Sequence, residues 1–364
     1  MVSCRRLKRL KLRILIFCLL MVGLASTMGT AKSNEKDKRG KEVRAELASL
    51  QKETGLSLAY FAWYVGTLDF AHRDKLLSDQ KLDGPPAYSQ NGDISPHGTK
   101  VAFAWSYYVD ALGKRAIGSL RQGERLAIVQ TEGTGLREFP AITGPKYFCW
   151  SPDESKLAVY TFVRNGTKKE GKLLVLDLGS NQAEQIAIGP AFLTPQCWSP
   201  DGQMLVYGIS ELGDESILTG KIVIYSLAEK STKTLGPGAY PTWSADGNWI
   251  AFLEGDDYYI VSPSGHDKKL FLHTIKPRTG LLWSPDGRFV AYGLCCKYRW
   301  MDPDTYWRFY VRRLRDNAED WVADFGDFPV GSDVHWVQPL KPEKSEASGS
   351  SLSPWSLRSY SNVL

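Results

Sequence analysis

Trp198-Ser199-Pro200-Asp201-Gly202, followed two residues later by Leu205-Val206-Tyr207, is the stretch on which the fold turns. Pro presets φ at the second position of a type I turn, Asp suits the third and Gly takes the last. A short strand carrying the Trp enters the turn and an apolar strand leaves it, so the unit reads as a β-hairpin. The same unit stands at Trp150-Ser151-Pro152-Asp153-Glu154 before Leu157-Ala158-Val159-Tyr160. It stands again at Trp243-Ser244-Ala245-Asp246-Gly247 before Ile250-Ala251-Phe252, and at Trp283-Ser284-Pro285-Asp286-Gly287 before Val290-Ala291-Tyr292. A degenerate copy, Ile94-Ser95-Pro96-His97-Gly98, precedes Val101-Ala102-Phe103. The repeated Ser falls at 95, 151, 199, 244 and 284, at intervals of 56, 48, 45 and 40 residues.

Two more strand-like runs follow each hairpin: 172–178 and 182–188, then 221–227 and 232–235, then 258–262 and 268–273. Four strands at a period of 40–50 residues define a β-propeller blade. A propeller that does not close exposes a sheet edge. Asp333-Val334-His335-Trp336-Val337 reads as the first strand of a further blade, but no turn of the repeat follows it. Leu56–Val65 reads as one buried strand and contains Leu58-Ala59-Tyr60, the residues expected after such a turn. The expected fold is therefore an all-β propeller of six four-stranded blades closed by N- and C-terminal strands. Residues 56–87 supply the outer strands of the last blade and 332–338 its inner strand. Before the ring, Glu42–Glu53 has helical composition, with Val43, Leu47 and Leu50 spaced for one face.

The repeat resembles the WD-like propeller repeats of TolB-type proteins over about residues 88–338. The resemblance implies a bacterial envelope setting and a protein or peptide partner near the central channel or on a blade-top surface. TolB proteins carry an α/β domain ahead of the propeller. The stretch before residue 56 is too short for one, which fits a divergent relative. The repeated residues Trp150, Asp153, Trp198, Asp201, Trp243, Asp246, Trp283 and Asp286 read as structural, the Trp packing between blades and the Asp holding the hairpin.

The chain has 364 residues, 43% apolar and 23% charged, and a net charge of +5. Those values exclude collagen-like, disordered and multi-span membrane classes for its bulk. The positive charge is local. Arg5, Arg6, Lys8, Arg9, Lys11 and Arg13 stand in residues 1–31 with no Asp or Glu, which leaves residues 32–364 one charge below neutral. The basic start, the apolar run Ile14–Ala25 and the small residues Gly29-Thr30-Ala31 have the three parts of a signal peptide. The expected organisation is a signal peptide at 1–31, a linker and short helix at 32–55, the propeller at 56–338 and a largely disordered tail at 339–364. Export to the periplasm or beyond follows, with an N-terminal anchor as the outcome if the leader is retained. A nucleic-acid partner is not expected from a near-neutral exported chain.

Motifs for chemistry are few. There is no nucleophile elbow, no phosphate-binding Gly-rich loop and no His-x-x-Glu-His pattern, so no catalytic residue, cofactor or metal site is assigned. His335 precedes Trp336 and faces the channel in this reading, and His97 replaces the repeat Asp. Cys149 and Cys197 occupy the same place in adjacent blades, one residue before the Trp. The partner-surface candidates are Trp300, Tyr306, Arg308, Tyr310, Arg312 and His335. On a strand, Tyr306, Arg308, Tyr310 and Arg312 share one face, where Arg forks and aromatic rings bind carboxylates, phosphates or glycans, or else form a solvated outer surface. The function read from this is a binding or scaffold module in the cell envelope. The alternative is a propeller lyase or hydrolase working at the channel mouth.

Overall fold

A computed structural model of the chain describes residues 35–61, 64–68, 76–81, 92–108, 121–131, 134–165, 168–189, 191–192, 198–210, 220–274, 277, 279–297, 306–325 and 334–339. Helix α1 (35–54) leads into β1 (Ser57–Phe61), β2 (Tyr64–Leu68) and β3 (Leu76–Lys81). Next come β4 (Gly92–Ile94), β5 (Lys100–Tyr108), β6 (Arg121–Gln130) and β7 (Arg137–Thr143), which form one antiparallel sheet in chain order. A second sheet holds β8 (Pro145–Trp150), β9 (Lys156–Asn165), β10 (Lys168–Asp177) and β11 (Ala183–Gly189). A third holds β12 (Ala191–Phe192), β13 (Met204–Ser210), β14 (Gly220–Ser226) and β15 (Ser231–Pro237). The fourth is β16 (Ala239–Trp243), β17 (Ile250–Glu254), β18 (Asp257–Val261) and β19 (Lys269–His273). The fifth is β20 (Leu282–Trp283), β21 (Phe289–Lys297), β22 (Tyr306–Arg313) and β23 (Glu319–Phe325).

Each of these five sheets comes from one stretch of chain. A sixth four-stranded sheet is composite: β24 (Val334–Val337) pairs with β1, giving the order β24-β1-β2-β3. Its register sets Leu58 opposite Trp336 and Tyr60 opposite Val334. Neighbouring sheets touch in succession, and the composite sheet contacts both the fifth, through β24 and β20, and the first, through β24 and β4. The architecture is an all-β propeller with four-stranded blades.

Burial explains the order. Tyr160 and Val175 of the second sheet share a core with Trp198, Tyr207 and Val223 of the third. Phe289 and Phe309 of the fifth share one with Leu58 and Trp336 of the composite sheet. The indoles tie these layers together. Trp150 Nε1 donates to the Asp93 carbonyl at 3.1 Å, Trp198 Nε1 to Cys149 at 2.9 Å and Trp336 Nε1 to Leu282 at 2.9 Å. Each acceptor immediately precedes the Trp-position residue of the preceding sheet. A buried indole needs such a partner, and this one links blade to blade.

Two local expectations are corrected. The apolar run Leu56–Val65 is not one strand: it contributes to β1 and β2, which pair with Tyr60 opposite Gly66 and Phe61 opposite Val65. An unbroken apolar run carries no mark of where a hairpin folds. The helix is longer than 42–53, because its charged first turns dock on the fifth blade through Lys36–Glu319 at 3.4 Å and Arg39–Asp316 at 3.6 Å. Farther along, Arg44 meets Asp320 at 2.6 Å, and Val43 and Leu47 are fully buried. The helix ends at Gly55, whose φ of 74° and bond from its N–H to the Gln51 carbonyl make a left-handed cap.

Candidate functional site at the channel mouth

Five hairpin turns stand around the axis with one geometry. In each, the N–H of the fourth residue bonds the Ser carbonyl at 2.8–3.0 Å, and that fourth residue has positive φ: Gly98, Glu154, Gly202, Gly247 and Gly287. The buried Ser side chain accepts from the backbone N–H five residues on, at 2.8–3.0 Å. In four turns the repeat Asp completes the lock. Ser151 donates to Asp153 at 2.6 Å and Ser284 to Asp286 at 2.6 Å, with equivalent bonds at Asp201 and Asp246. The Ser151 hydroxyl, aided by Ser155, holds the Asp153 carboxyl down at a pKa of about 2. Asp201 and Asp246 are lowered in the same way by Ser199 and Ser244. Asp286 is lowered too: its burial acts upward, but donors from Ser284 and Arg288 outweigh it.

The fifth turn, at 95–98, has His97 in place of Asp and so lacks that acceptor. Glu154 supplies one from the next blade. Its carboxylate accepts from the His97 N–H at 2.9 Å, Thr99 Oγ1 at 2.8 Å and Lys100 Nζ at 3.1 Å. Burial acts to raise its pKa, and these donors together with Ser95 bring it below the ordinary value. Glu154 stands where the other turns place Gly. Two departures from the repeat, 57 residues apart, thus compensate each other. The Glu at a Gly position is a trace of this pairing in the sequence.

With its carboxylate supplied from outside, the irregular turn presents His97 to the mouth of the channel. A cavity of about 490 Å³ lies there, lined by residues of four sheets, on β4, β8, β20 and β24, and by the hairpin turns beside the third and fourth sheets. The repeat positions after Ser supply Pro96, Pro152, Pro200, Ala245 and Pro285, and Trp150, Trp198, Trp283 and Trp336 contribute indole surface. The polar side chains are concentrated on the first and composite sheets: Asp93, His97, His335 and Gln338. His97 Nδ1 donates to the Gln338 carbonyl at 3.2 Å, while the Gln338 N–H bonds Pro96 O at 2.8 Å. His335 and Asp93 occupy equivalent places, one residue before Trp336 and Ile94, and both are buried. His335 Nε2 stands 3.0 Å from Asp93 Oδ1, yet that oxygen accepts no well-directed hydrogen bond.

Of the sequence-stretch candidates, His335 lies in this mouth. Arg308, Tyr310 and Arg312 do not: they sit on β22, the third strand of its sheet, with β23 outside it. Arg308 lies over the Trp321 ring at 4.8 Å, Tyr310 stacks on Tyr292 at 5.8 Å, and Arg312 reaches Glu319 at 3.3 Å. On the opposite face of β22, Phe309 and Val311 are core. Tyr306 begins β22, and Trp300 lies outside the described residues. Cys149 is buried, and Cys197 lies outside the described residues. Among the described residues no three His, Cys, Asp or Glu converge to hold a metal, and no helix is long and apolar enough to cross a membrane. The leader 1–31 and the tail from 340 also lie outside them.

A propeller with an open mouth at the axis is the class this geometry defines. Among solved structures, TolB from Acinetobacter baumannii superposes with a TM-score of 0.52 at 14% identity, over 78% of this chain and 66% of that one. A putative TolB from Agrobacterium tumefaciens gives 0.52 at 15% identity, over 78% of this chain and 99% of that one. At such identities the likeness is one of fold. No protein-family model and no curated protein matches the chain.

Proposed function

We propose that this chain is exported and works as a binding or scaffold module of the cell envelope, its six sheets forming one closed ring that receives a protein or peptide partner at the channel mouth. The observation that carries the reading is the mouth itself: a cavity lined by four sheets and the turns of two more, whose polar residues gather where the repeat is broken. Binding groups set in irregular turns on a rigid repeat scaffold are a common use of such folds. The TolB-like fold of the solved neighbours supports an envelope setting. The basic, apolar and small-residue parts of 1–31 support export.

A photo-crosslinking residue at Ala245, inside the mouth, is compared with one at Leu270, exposed on β19. Expressed in an envelope-bearing bacterial host, the Ala245 probe is expected to give a discrete partner adduct. Adducts from Leu270 alone would overturn the mouth reading. Mass spectrometry of the same material tests export, with a mature N-terminus at Lys32 expected.

A second reading, a lyase or hydrolase, draws on His97 and the Asp93–His335 pair at the same mouth. Stoichiometric Mn, Ca or Zn in the purified protein would favour it.

A further inference from the structure

The mouth has a chemical preference. Among the described residues lining it, Asp93 is the one carboxylate, and there is no Lys or Arg. Asp93 is 4% exposed, and its Oδ1 accepts no well-directed bond despite the His335 ring 3.0 Å away. A carboxylate withdrawn from water and incompletely hydrogen-bonded is among the least comfortable groups a protein can hold. The other buried polar side-chain atoms left without a partner among the described residues are Thr242 Oγ1, Trp243 Nε1 and Trp283 Nε1. All belong to the same belt: Thr242 sits at the position equivalent to Asp93, and the two indoles sit at the repeat Trp. Native proteins leave few such groups, and each calls for an explanation. Of the four residues, Asp93 and Trp283 line the mouth, beside an apolar and aromatic surface.

We infer that the mouth binds an organic cation, a protonated amine on an apolar or aromatic stem, with Asp93 as its counter-charge. An anion would meet the Asp93 charge with no Lys or Arg to offset it, only the imidazoles of His97 and His335. A neutral ligand without a donor would leave Asp93 Oδ1 buried and lacking a well-directed hydrogen bond. Among the described residues a bare metal ion finds no third ligand. An ammonium satisfies the carboxylate, gains from the indole faces and leaves its stem against Pro and Trp. On a partner protein the same group would be a Lys side chain or an N-terminal amine. The inference rests on the mouth being the binding site.

The test is a tryptophan-fluorescence titration, backed by calorimetry, of the full chain with benzylamine, benzyl alcohol and benzoate. Benzylamine is expected to bind at least about tenfold more tightly than either analogue. In Asp93→Asn that advantage disappears while benzyl alcohol binds as before, which also reports an intact mouth. If benzyl alcohol or benzoate matches benzylamine in the native protein, the cation inference is overturned and the mouth stands. If none of the three binds, the cation inference is overturned, and the Ala245 crosslink decides separately on the mouth. Should Asp93→Asn fail to fold, the ranking of the three ligands on the native chain decides.

Discussion

The turn at 95–98 and the turns at 151, 199, 244 and 284 share a backbone and differ in where their carboxylate comes from. In the regular turns the acid is two residues from its Ser. In the irregular one it arrives from Glu154, 57 residues away on the next blade. The regular arrangement makes each hairpin self-sufficient. The irregular one couples two blades and releases the third turn position to carry His97 into the mouth. A repeat can give up a structural residue to function when a neighbour supplies the missing acceptor.

Removing the acid should separate the two kinds of turn most clearly. Glu154→Ala strips the acceptor from three donors at a buried site and is expected to lower the unfolding free energy by about 2–4 kcal/mol. Asp246→Ala, at an exposed regular turn, should lose about 1 kcal/mol in the same urea titrations. Equal losses would break the comparison. Glu154→Gly should fall short of the Ala loss by about 1 kcal/mol, since Gly adopts the φ of 55° without strain.

A double-mutant cycle sharpens the claim of compensation. His97→Asp restores an acid within the turn, so combined with Glu154→Gly it rebuilds the regular repeat. The double variant is expected to be more stable than the sum of the single effects by about 1–2 kcal/mol. Strict additivity would mean that the two departures are independent.

Acid should weaken the irregular turn in a way the cycle can attribute. Donors from His97, Ser95, Thr99 and Lys100 overcome burial and hold the Glu154 pKa below its ordinary 4.5. A lowered folded-state value means that its stabilisation is complete above the unfolded pKa and is lost as pH falls through the folded one. Urea midpoints measured from pH 6 to pH 3 should therefore decline less steeply in Glu154→Gln than in the native chain. The smallest effect is expected on β22. Arg308→Ala removes a cation lying over Trp321 and should cost about 0.5–1 kcal/mol in thermal melts, with mouth binding unchanged.

Much of this was legible beforehand. The turn chemistry at Ser199-Pro200-Asp201-Gly202 and its spacing are local, and local steric rules specify a hairpin wherever they recur. Strand positions such as β14 and β18 follow from alternation after those turns. Leu58 opposite Trp336 was inferable as well, because each end of the chain holds a fragment of the same repeat. The extent of α1 was not. Its first turns are held by Asp316 and Glu319, which lie far away in sequence. The Arg308 and Arg312 face reads from sequence either as a partner surface or as a solvated one, and sequence does not show that Trp321 and Glu319 engage those side chains.

The sequence by itself determined the repeat, the four-stranded unit and the charge asymmetry between residues 1–31 and the rest, since each is read from the order of residues along the chain. Only the tertiary structure decided that Glu154 serves the turn of His97, and that Asp93 and His335 meet where β24 contacts β4. It also decided that, among the described residues, the buried polar atoms lacking partners fall at corresponding positions of the repeat, two of them lining the mouth. Those relations join residues far apart along the chain, and they exist because closing the sheets brings the same position of every blade to a common centre.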